Sequence, residues 1–578
     1  MIRPAVHLLF RLLYRMTNKA IARALRETAS LLELTGGNPF RARAFSRAAR
    51  SIRGLEDPLD AYLENDSLTD IDGVGAGMAE HVTDLLQTGS FELRDELLHA
   101  VPTGLLDVLR IKGLGTKKVR ALWDELNITS LDDLEAAARS GAITSLRGFG
   151  QKTQQSILKN VRLLRTYDEQ RRAADAYSDL DPILTVLQEV EAVEQVAVTG
   201  ALRRNCATVR EAHVLVRPVV PDAVVRPLAE QLDAPVEPTD ATLTDAAFTT
   251  ELPSGLPLVL HFTPSPSWGT ALWRTTGSDL HRDAFVDQFG APDDHATEDD
   301  LFAAVDLPPL PPPLREDTDA LEMALNDALP TLITTDDLRG SLHNHSTYSD
   351  GAHSLRDMAQ AARDMGLSYF GISDHSQSLK VADGLSPETV RAQMDEIKAL
   401  NDEFASEAGA PFRIFSGIES DIRNDGSLDY EDDVLADFDF VVASVHTGMN
   451  MTKEEATERI LRAVAHPATR ILGHPTGRLL LVREGYPIDH ERVLDACAEH
   501  NVAVEVNANP YRLDLDWRWI RPALDRGVLV SINPDAHATD ELAYVKWGVK
   551  VAQKGGLSPA HCLNAKSLSS FTAWIEAA

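Results

Sequence analysis

Two pairs of residues stand at the alternate spacing that places both side chains on one face of a strand: His343 with His345, and Asp535 with His537. Between them the chain supplies Asp350, His375, Glu419, His446 and His474, making six imidazoles and three carboxylates in all. Such a set is enough for about two or three divalent ions with bridging acids, and nitrogen and oxygen ligation without thiolate suits Mn, Zn or Fe. The cysteines Cys206, Cys497 and Cys562 fall in no CxxC spacing, which excludes both a thiolate zinc site and a disulfide framework. Clustered metals generate hydroxide at neutral pH and neutralise a phosphoryl group, so the chemistry implied is phosphoester hydrolysis.

Donors so far apart along the chain meet only if the elements bearing them converge. From Leu342 onward seven strand-like runs alternate with helical segments. They close on His343 and His345, on Asp374 and His375, on Glu419, on His446, on His474, on Asn507 and Asn509, and on Asp535 and His537. Ligands at successive strand ends come together when the strands lie parallel around a barrel, whose site sits at the C-terminal face. The pattern predicts a seven-stranded (β/α) barrel over residues 337–578.

The first third of the chain reads differently. From Thr17 to about Tyr167 apolar positions recur at helical spacing. Three short glycine turns interrupt them, at Gly73 and Gly75, Gly113 and Gly115, and Gly148 and Gly150. Each is the hairpin of a helix-hairpin-helix: glycine lets the backbone approach a phosphate, and the next helix offers its N-terminal NH groups to the anion. Lys117, Lys118 and Lys152 follow two of these turns, as expected for sequence-independent grip on a DNA backbone. Residues 1–55 carry eleven Lys or Arg, Arg41 and Arg43 among them, against Glu27 and Glu33, a local charge of 11 − 2 = +9. That basic patch is a candidate phosphate-binding surface.

It lies in a chain whose formal net charge is −32 and whose 56 basic residues comprise 43 Arg and 13 Lys. Such a balance suits the salt-rich cytosol of a halophilic archaeon, where surface carboxylate keeps protein soluble, so the acidity does not argue against a nucleic-acid partner. No apolar run approaches the roughly 20 residues of a membrane span, and the basic opening has no small-residue cleavage site. A cytoplasmic monomer without membrane association is expected. Residues 171–306 read as a small α/β unit, and the proline-rich 307–336 as a stiff spacer. The expected division is an extension over 1–15, helix-hairpin-helix domains over 16–95 and 96–170, the α/β unit, the spacer and the barrel.

Several stretches resemble a known family. Leu342-His343-Asn344-His345-Ser346, Ser349-Asp350-Gly351, Ser373-Asp374-His375-Ser376, Gly417-Ile418-Glu419, Ser444-Val445-His446, Gly473-His474-Pro475-Thr476-Gly477-Arg478 and Asp535-Ala536-His537 are similar to the PHP (polymerase and histidinol phosphatase) domain, and fill all nine of its metal-binding positions. Ser378-Leu379-Lys380-Val381-Ala382 and Asn507 to Leu515 further resemble the PHP domain at the C-terminus of family X DNA polymerases. Asn38 to Phe45 resembles that family's DNA-end domain, and Leu314-Arg315-Glu316-Asp317 its linker. The resemblance implies a DNA-repair protein acting on gapped, nicked or 3'-end DNA, two to three divalent ions in the barrel, and phosphate-binding roles for Arg478 and Lys380.

The departures bear on polymerisation. Where the family has Gly-Ser, two Arg and two Asp, this chain has Gly200-Ala201-Leu202-Arg203-Arg204, then Glu211 and His213. Val259 stands at the third catalytic Asp, and Gly277 and Ser278 keep the nucleotide-pocket turn. Two-metal phosphoryl transfer needs anionic oxygens for both magnesium ions, so no Mg is expected at this degenerate nucleotidyltransferase-like site. His81 stands at the Schiff-base lysine of lyase-competent relatives. The leading reading is a metal-dependent DNA phosphoesterase of the 3'-5' exonuclease type, processing 3' ends or abasic sites, with polymerisation lost. The alternatives are a gap-filling polymerase with PHP proofreading, a histidinol-phosphate-type small-molecule phosphatase, and a non-enzymatic DNA-end scaffold.

Overall fold

The computed structural model describes residues 16–577 apart from 56–57, 219–221, 233, 241–242, 408 and 410. The expected extension over 1–15 lies outside the described residues. The chain forms two compact units that meet in sequence between Asp168 and Glu169. No described helix is long and apolar enough to cross a membrane.

The first unit is helical. Helix α1 (Asn18–Leu34) is capped by Thr17, whose side chain accepts from Ala20 N. Helix α2 (Pro39–Arg53) has Asn38 as its cap and a proline in its first turn, where the missing NH costs nothing. Phe45, Ala48, Ala49 and Ile52 on α2 pack with Ile21, Leu25 and Leu32 of α1. Three further helices open just after the glycine turns: α3 (Ala76–Thr88), α4 (Thr116–Leu126) and α5 (Gln151–Asp168).

The second unit holds two large sheets and a two-stranded ribbon that pairs Arg171–Arg172 with Thr208–Val209. Helix α6 (Ala173–Glu189) leads into a five-stranded sheet formed by β1 (Val193–Thr199), β2 (Ala212–Pro218), β3 (Glu237–Thr239), β4 (Ala246–Glu251) and β5 (Pro257–Phe262). Their order is β1-β2-β5-β4-β3, with β2 and β5 parallel and the other pairs antiparallel. Helices α7 (Trp268–Thr276) and α8 (Asp279–Phe289) follow.

The second sheet has seven strands, all parallel and in sequence order: β6 (Gly340–Ser341), β7 (Tyr369–Ile372), β8 (Arg413–Asp421), β9 (Phe440–Ser444), β10 (Thr469–Leu472), β11 (Ala503–Asn507) and β12 (Val530–Asn533). Strands buried on both faces read as continuous apolar runs, and Phe440-Val441-Val442-Ala443-Ser444 is buried throughout. The first and last strands approach each other through a parallel bridge between Asn344 and Ala536, and His345 N donates to Ala536 O at 2.8 Å. The result is a nearly closed barrel, as the spacing of the ligands predicts.

The proline-rich segment differs from the solvated spacer expected. Leu307, Leu310, Leu314, Ala320 and Leu321 are buried in one cluster with Trp273, Phe285 and Phe302. Arg315 is buried too: its Nε donates to Leu310 O at 2.8 Å, and it pairs with Glu298, which also binds Arg203 at 2.6 Å. Six prolines remove six NH groups, and the leucines between them give the segment an apolar face; it packs down as a strap. Beyond it, Glu316 accepts Arg204 Nε at 2.8 Å and Lys554 Nζ at 2.7 Å. Lys554 ends helix α9 (Val545–Lys554), which packs beside the barrel, so this carboxylate joins the small α/β sheet to the barrel.

Burial acts to raise the Glu316 carboxyl, but Lys554 and Arg204 outweigh it and bring it from the ordinary 4.5 to about 2. A depressed folded-state value means stability present above the unfolded value and lost as pH falls through the folded one. Glu316→Gln leaves Lys554 buried beside a neutral amide, and at pH 7 should cost on the order of 2 kcal/mol in urea unfolding. The gap between parent and variant should shrink as pH falls from 4.5 toward 2.

Candidate functional site

All nine ligand candidates meet at the C-terminal mouth of the barrel. Glu419, buried at the end of β8, stands at the centre. Its Oε1 lies 3.3 Å from His343 Nε2, 3.2 Å from His446 Nε2 and 2.9 Å from His474 Nε2; its Oε2 lies 2.8 Å from His375 Nδ1. Asp535 Oδ1 is 3.1 Å from His345 Nε2 and 3.7 Å from His343 Nε2. Asp350 Oδ1 is 3.4 Å from His537 Nε2 and 3.6 Å from His375 Nε2. Asp535 has a left-handed backbone, φ 53°, a conformation that costs energy away from glycine and re-aims the side chain just past a strand.

His345 Nε2 bonds to Asp535 Oδ1, while other atoms of the cluster are left without a partner. His343 Nε2, His345 Nδ1, His375 Nδ1, His446 Nδ1, His474 Nδ1 and both Glu419 oxygens are buried and make no hydrogen bond. Orphaned buried donors and acceptors cost about 1 to 3 kcal/mol each, and seven in one cavity fit a cage for cations. They fall into four overlapping groups: His345, Asp350, His375 and His537; His343, Glu419 and His474; His343, His345 and Asp535; His375, Glu419 and His446. Shared members suit bridged ions. Burial raises the carboxyls of Glu419 and Asp535, yet the surrounding imidazoles prevail and hold both well below the usual range.

A second layer, not foreseen from sequence, orients the first. Glu505, fully buried on β11, accepts from His343 Nδ1 at 2.7 Å and from His474 N at 2.6 Å. That bond fixes the tautomer of His343 and turns Nε2 into the cage. Asp421 accepts His446 N at 3.1 Å, and Asn507 donates to Asp535 at 3.0 Å. Asp374 accepts Ser346 N at 2.7 Å and Gln393 Nε2 at 2.6 Å, which anchors the loop to Asp350. The signal was available in the alternate spacing: Asp421 shares a strand face with Glu419, and Glu505 with Asn507.

Two expected phosphate ligands sit elsewhere. The guanidinium of Arg478 is consumed inside the protein, donating to Arg512 O, Leu513 O and, at 2.6 Å, Asp516. It shapes the loop after β11, and the arginine that reaches the cage is Arg512, whose Nε is 3.4 Å from Asp535. Lys380 is exposed on a short 3-10 turn, Lys380–Ala382.

In the five-stranded sheet, His213 on β2 pairs in register with Val259 on β5. His213 Nε2 meets Glu211 at 2.9 Å and its Nδ1 meets His261 Nε2 at 3.0 Å. The two rings are 5.3 Å apart at 11°. With nitrogens 3.0 Å apart, that is an edge-to-edge bond between nearly coplanar rings, not a face-to-face stack. Burial and His213 lower His261 to about 4, so it stays neutral. One carboxylate and two imidazoles do not fit a pair of magnesium ions. Gly200 has φ 62°, and a Cβ there would strike His213 at 2.8 Å, with Ala201 beside it. Arg203 and Arg204 are committed to Glu298 and Glu316. Gly277 and Ser278 form a helix cap: Ser278 Oγ accepts His281 N at 3.1 Å.

The three hairpins of the first unit share one turn. Val74 N donates to Ile71 O, Leu114 N to Ile111 O and Phe149 N to Leu146 O, at 2.9, 3.0 and 3.2 Å. Gly73, Gly113 and Gly148 have φ of 78°, 88° and 90°. A Cβ on Gly75, Gly115 or Gly150 would meet nothing, so internal packing does not require glycine there, whereas a backbone arriving from outside would; at Gly113 and Gly148 the positive φ itself calls for glycine. Arg47, salt-bridged to Asp72 at 2.6 Å, covers Gly73. Lys117 and Lys152 are exposed, and Lys118 donates to Gly113 O at 3.1 Å. Arg41 and Arg43 are exposed on α2, with Arg43 over the Phe40 ring. His81 packs against the rings of Phe45 and Phe91.

Residues 16–91 match a helix-hairpin-helix domain, 105–162 a SAM-like helix-hairpin-helix tandem and 341–509 the PHP domain. Fold and site together define a helix-hairpin-helix protein bearing a PHP barrel, whose relatives are metal-dependent phosphoesterases. The chain is 33% identical over 581 residues to the DNA polymerase/3'-5' exonuclease PolX of Bacillus subtilis (strain 168), spanning 97% of this chain and 100% of that one. It belongs to that family, the family X DNA polymerase/3'-5' exonucleases. The C-terminal portion is also similar to a "Probable phosphatase" of Thermoanaerobacter sp. (strain X514), 25% identical over 38% of this chain and 88% of that one. "Probable phosphatase YcdX" of Escherichia coli O81 (strain ED1a) is 24% identical over 39% and 88%.

Glu505→Gln should weaken metal binding by about 10- to 100-fold, read as metal retained after dialysis, with the circular dichroism unchanged. Parent-like retention would remove Glu505 from the metal shell. A fragment of residues 16–168 should bind gapped DNA with log affinity falling linearly in log salt, and Lys152→Ala should reduce that slope by about one. A slope insensitive to every hairpin lysine would dismiss the hairpins as the grip.

Proposed function

We propose that this protein is a metal-dependent 3'-5' exonuclease acting on DNA ends and gaps in repair, with its nucleotidyltransferase-like sheet retired from polymerisation. The observation that carries the reading is the cage of nine donors at the barrel mouth on a chain that also bears three open glycine hairpins. His343, His345, Asp350, His375, Glu419, His446, His474, Asp535 and His537 would hold Mn, Zn or Fe ions. Bound there, such ions supply hydroxide at neutral pH and neutralise the phosphoryl oxygens.

The protein's own groups arrange the encounter. Glu505, Asn507 and Asp421 fix the ligands before substrate arrives, so little reorganisation is left for the reaction. Side chains of His343, Glu419 and His474 are at most 1% exposed, whereas Asp350 and His537 are 35% and 31% exposed, so a phosphodiester enters on their side. Arg512 places a fixed positive charge beside Asp535. Glu211, His213 and Val259 at the three catalytic carboxylate positions, with His261 bonded to His213, support the loss of polymerisation. A small-molecule phosphatase is the second reading, favoured by the barrel's similarity to phosphatases that match little beyond it; the hairpins weigh against it.

The test uses 5'-labelled gapped and 3'-overhang duplexes with Mn, Zn or Mg. Shortening from the 3' end is expected, with loss of at least about three decades in rate in His343→Ala and Asp535→Ala. The same variants, given gapped template and deoxynucleotides, should add none. Parent-like cleavage by both variants would sink the nuclease assignment, and extension lost on Glu211→Ala would restore the polymerase.

A further inference from the structure

At the rim of the barrel Tyr511 stands against a two-stranded ribbon of the same unit. Tyr511 follows β11, its NH held by Asn509 Oδ1 at 3.0 Å and its carbonyl by Leu480 N at 2.7 Å. The guanidinium carbon of Arg172 lies 3.8 Å from the centre of its ring. Arg172 is itself fixed, by Asp175 at 2.7 Å and by antiparallel pairing with Thr208. The ribbon that pairs Arg171–Arg172 with Thr208–Val209 thus reaches to the rim of the barrel.

Two chains of contact place that rim at the cage. The neighbouring Arg512 lies 3.4 Å from the ligand Asp535. On the other side the Tyr511 phenol is close enough to Tyr544 to help keep that phenol protonated. Tyr544 bonds Glu541 at 3.3 Å, and Glu541 accepts the NH of the ligand His537 at 2.9 Å. His537 and Asp350 are the exposed end of the cluster, and Tyr511 is itself 37% exposed.

We propose that Tyr511, backed by Arg172, is the surface on which the base of the 3'-terminal nucleotide rests while its phosphodiester lies at the cage. The inference rests on the exonuclease reading and names the group that tells a nucleotide end from a bare phosphate ester. Every base has a π-face, so an aromatic platform accepts any sequence, as an enzyme that trims ends requires. A guanidinium against the ring removes the ring's freedom to turn and leaves its charge beside the incoming phosphate. Tyr511 and Arg172 act here as binding and specificity residues; neither touches a proton of the reaction.

The experiment uses full-length protein and 3'-overhang duplexes ending either in a normal nucleotide or in a baseless tetrahydrofuran residue. Parent protein should cleave the base-bearing end faster. Tyr511→Ala should lose roughly 10- to 100-fold in kcat/KM on that end and little on the baseless one, abolishing the preference, while Tyr511→Phe keeps it. Binding is read separately in the His343→Ala background: a 3'-terminal 2-aminopurine should lose fluorescence on binding, and the added Tyr511→Ala should remove that quenching. Equal slowing on both ends, or no quenching to begin with, overturns the proposal. If parent protein cleaves neither end, the exonuclease reading fails, and the quenching then decides alone whether Tyr511 holds a terminal base.

Discussion

Everything at the barrel mouth depends on one electrostatic constraint: a fully buried carboxylate, Glu419, ringed by imidazoles that do not bond to it. Such a cavity is costly, because each orphaned nitrogen has lost water and gained nothing. The fold tolerates it because its surroundings are over-determined. Seven parallel strands set the spacing, and buried groups beyond the cage hold His343 by its other nitrogen, His474 and His446 by their backbone NH groups and Asp535 by its carboxylate. A site preorganised in this way owes its form to the protein even before a cation enters.

Much of the barrel was legible because its chemistry is periodic. His343 and His345, and Asp535 and His537, announce strands by their spacing, and seven such ends in order imply a closed parallel sheet. The hairpins were legible for a similar reason, since Ile71, Ile111 and Leu146 each precede Gly-x-Gly by the same interval. Arg478 was not legible. It sits beside ligand His474 in sequence, but its planar fork matches three acceptors in a loop more than thirty residues away, and only the folded chain shows that they are there. The strap over 307–336 misled for a different reason: proline predicts stiffness, and whether a stiff segment lies in water or on a core depends on the leucines between the prolines.

The small sheet keeps the shape of its resemblance while its groups bond to one another. Where three carboxylates would repel unless cations lay between them, Glu211, His213 and His261 form a self-satisfied line of hydrogen bonds. The paired arginines have likewise turned inward, one to Glu298 and one to Glu316. A site whose charges are already neutralised by neighbours has little left to offer a triphosphate. Just after the paired arginines, Thr208 pairs with Arg172, which lies against Tyr511 at the barrel rim.

That internal pairing changes what kind of module the barrel is. Lys554, nearly fully buried at the end of α9, takes its counter-charge from Glu316 and donates to the carbonyl of Arg204, and Ile333 in the strap bonds to Leu557. A gene break placed at the prolines, where sequence alone would invite it, would part Arg204 from Glu316 and Lys554 and bare an apolar seam. The barrel can therefore not be inherited, swapped or excised as a free-standing cassette at that point. The five-stranded sheet and the barrel are parts of one body.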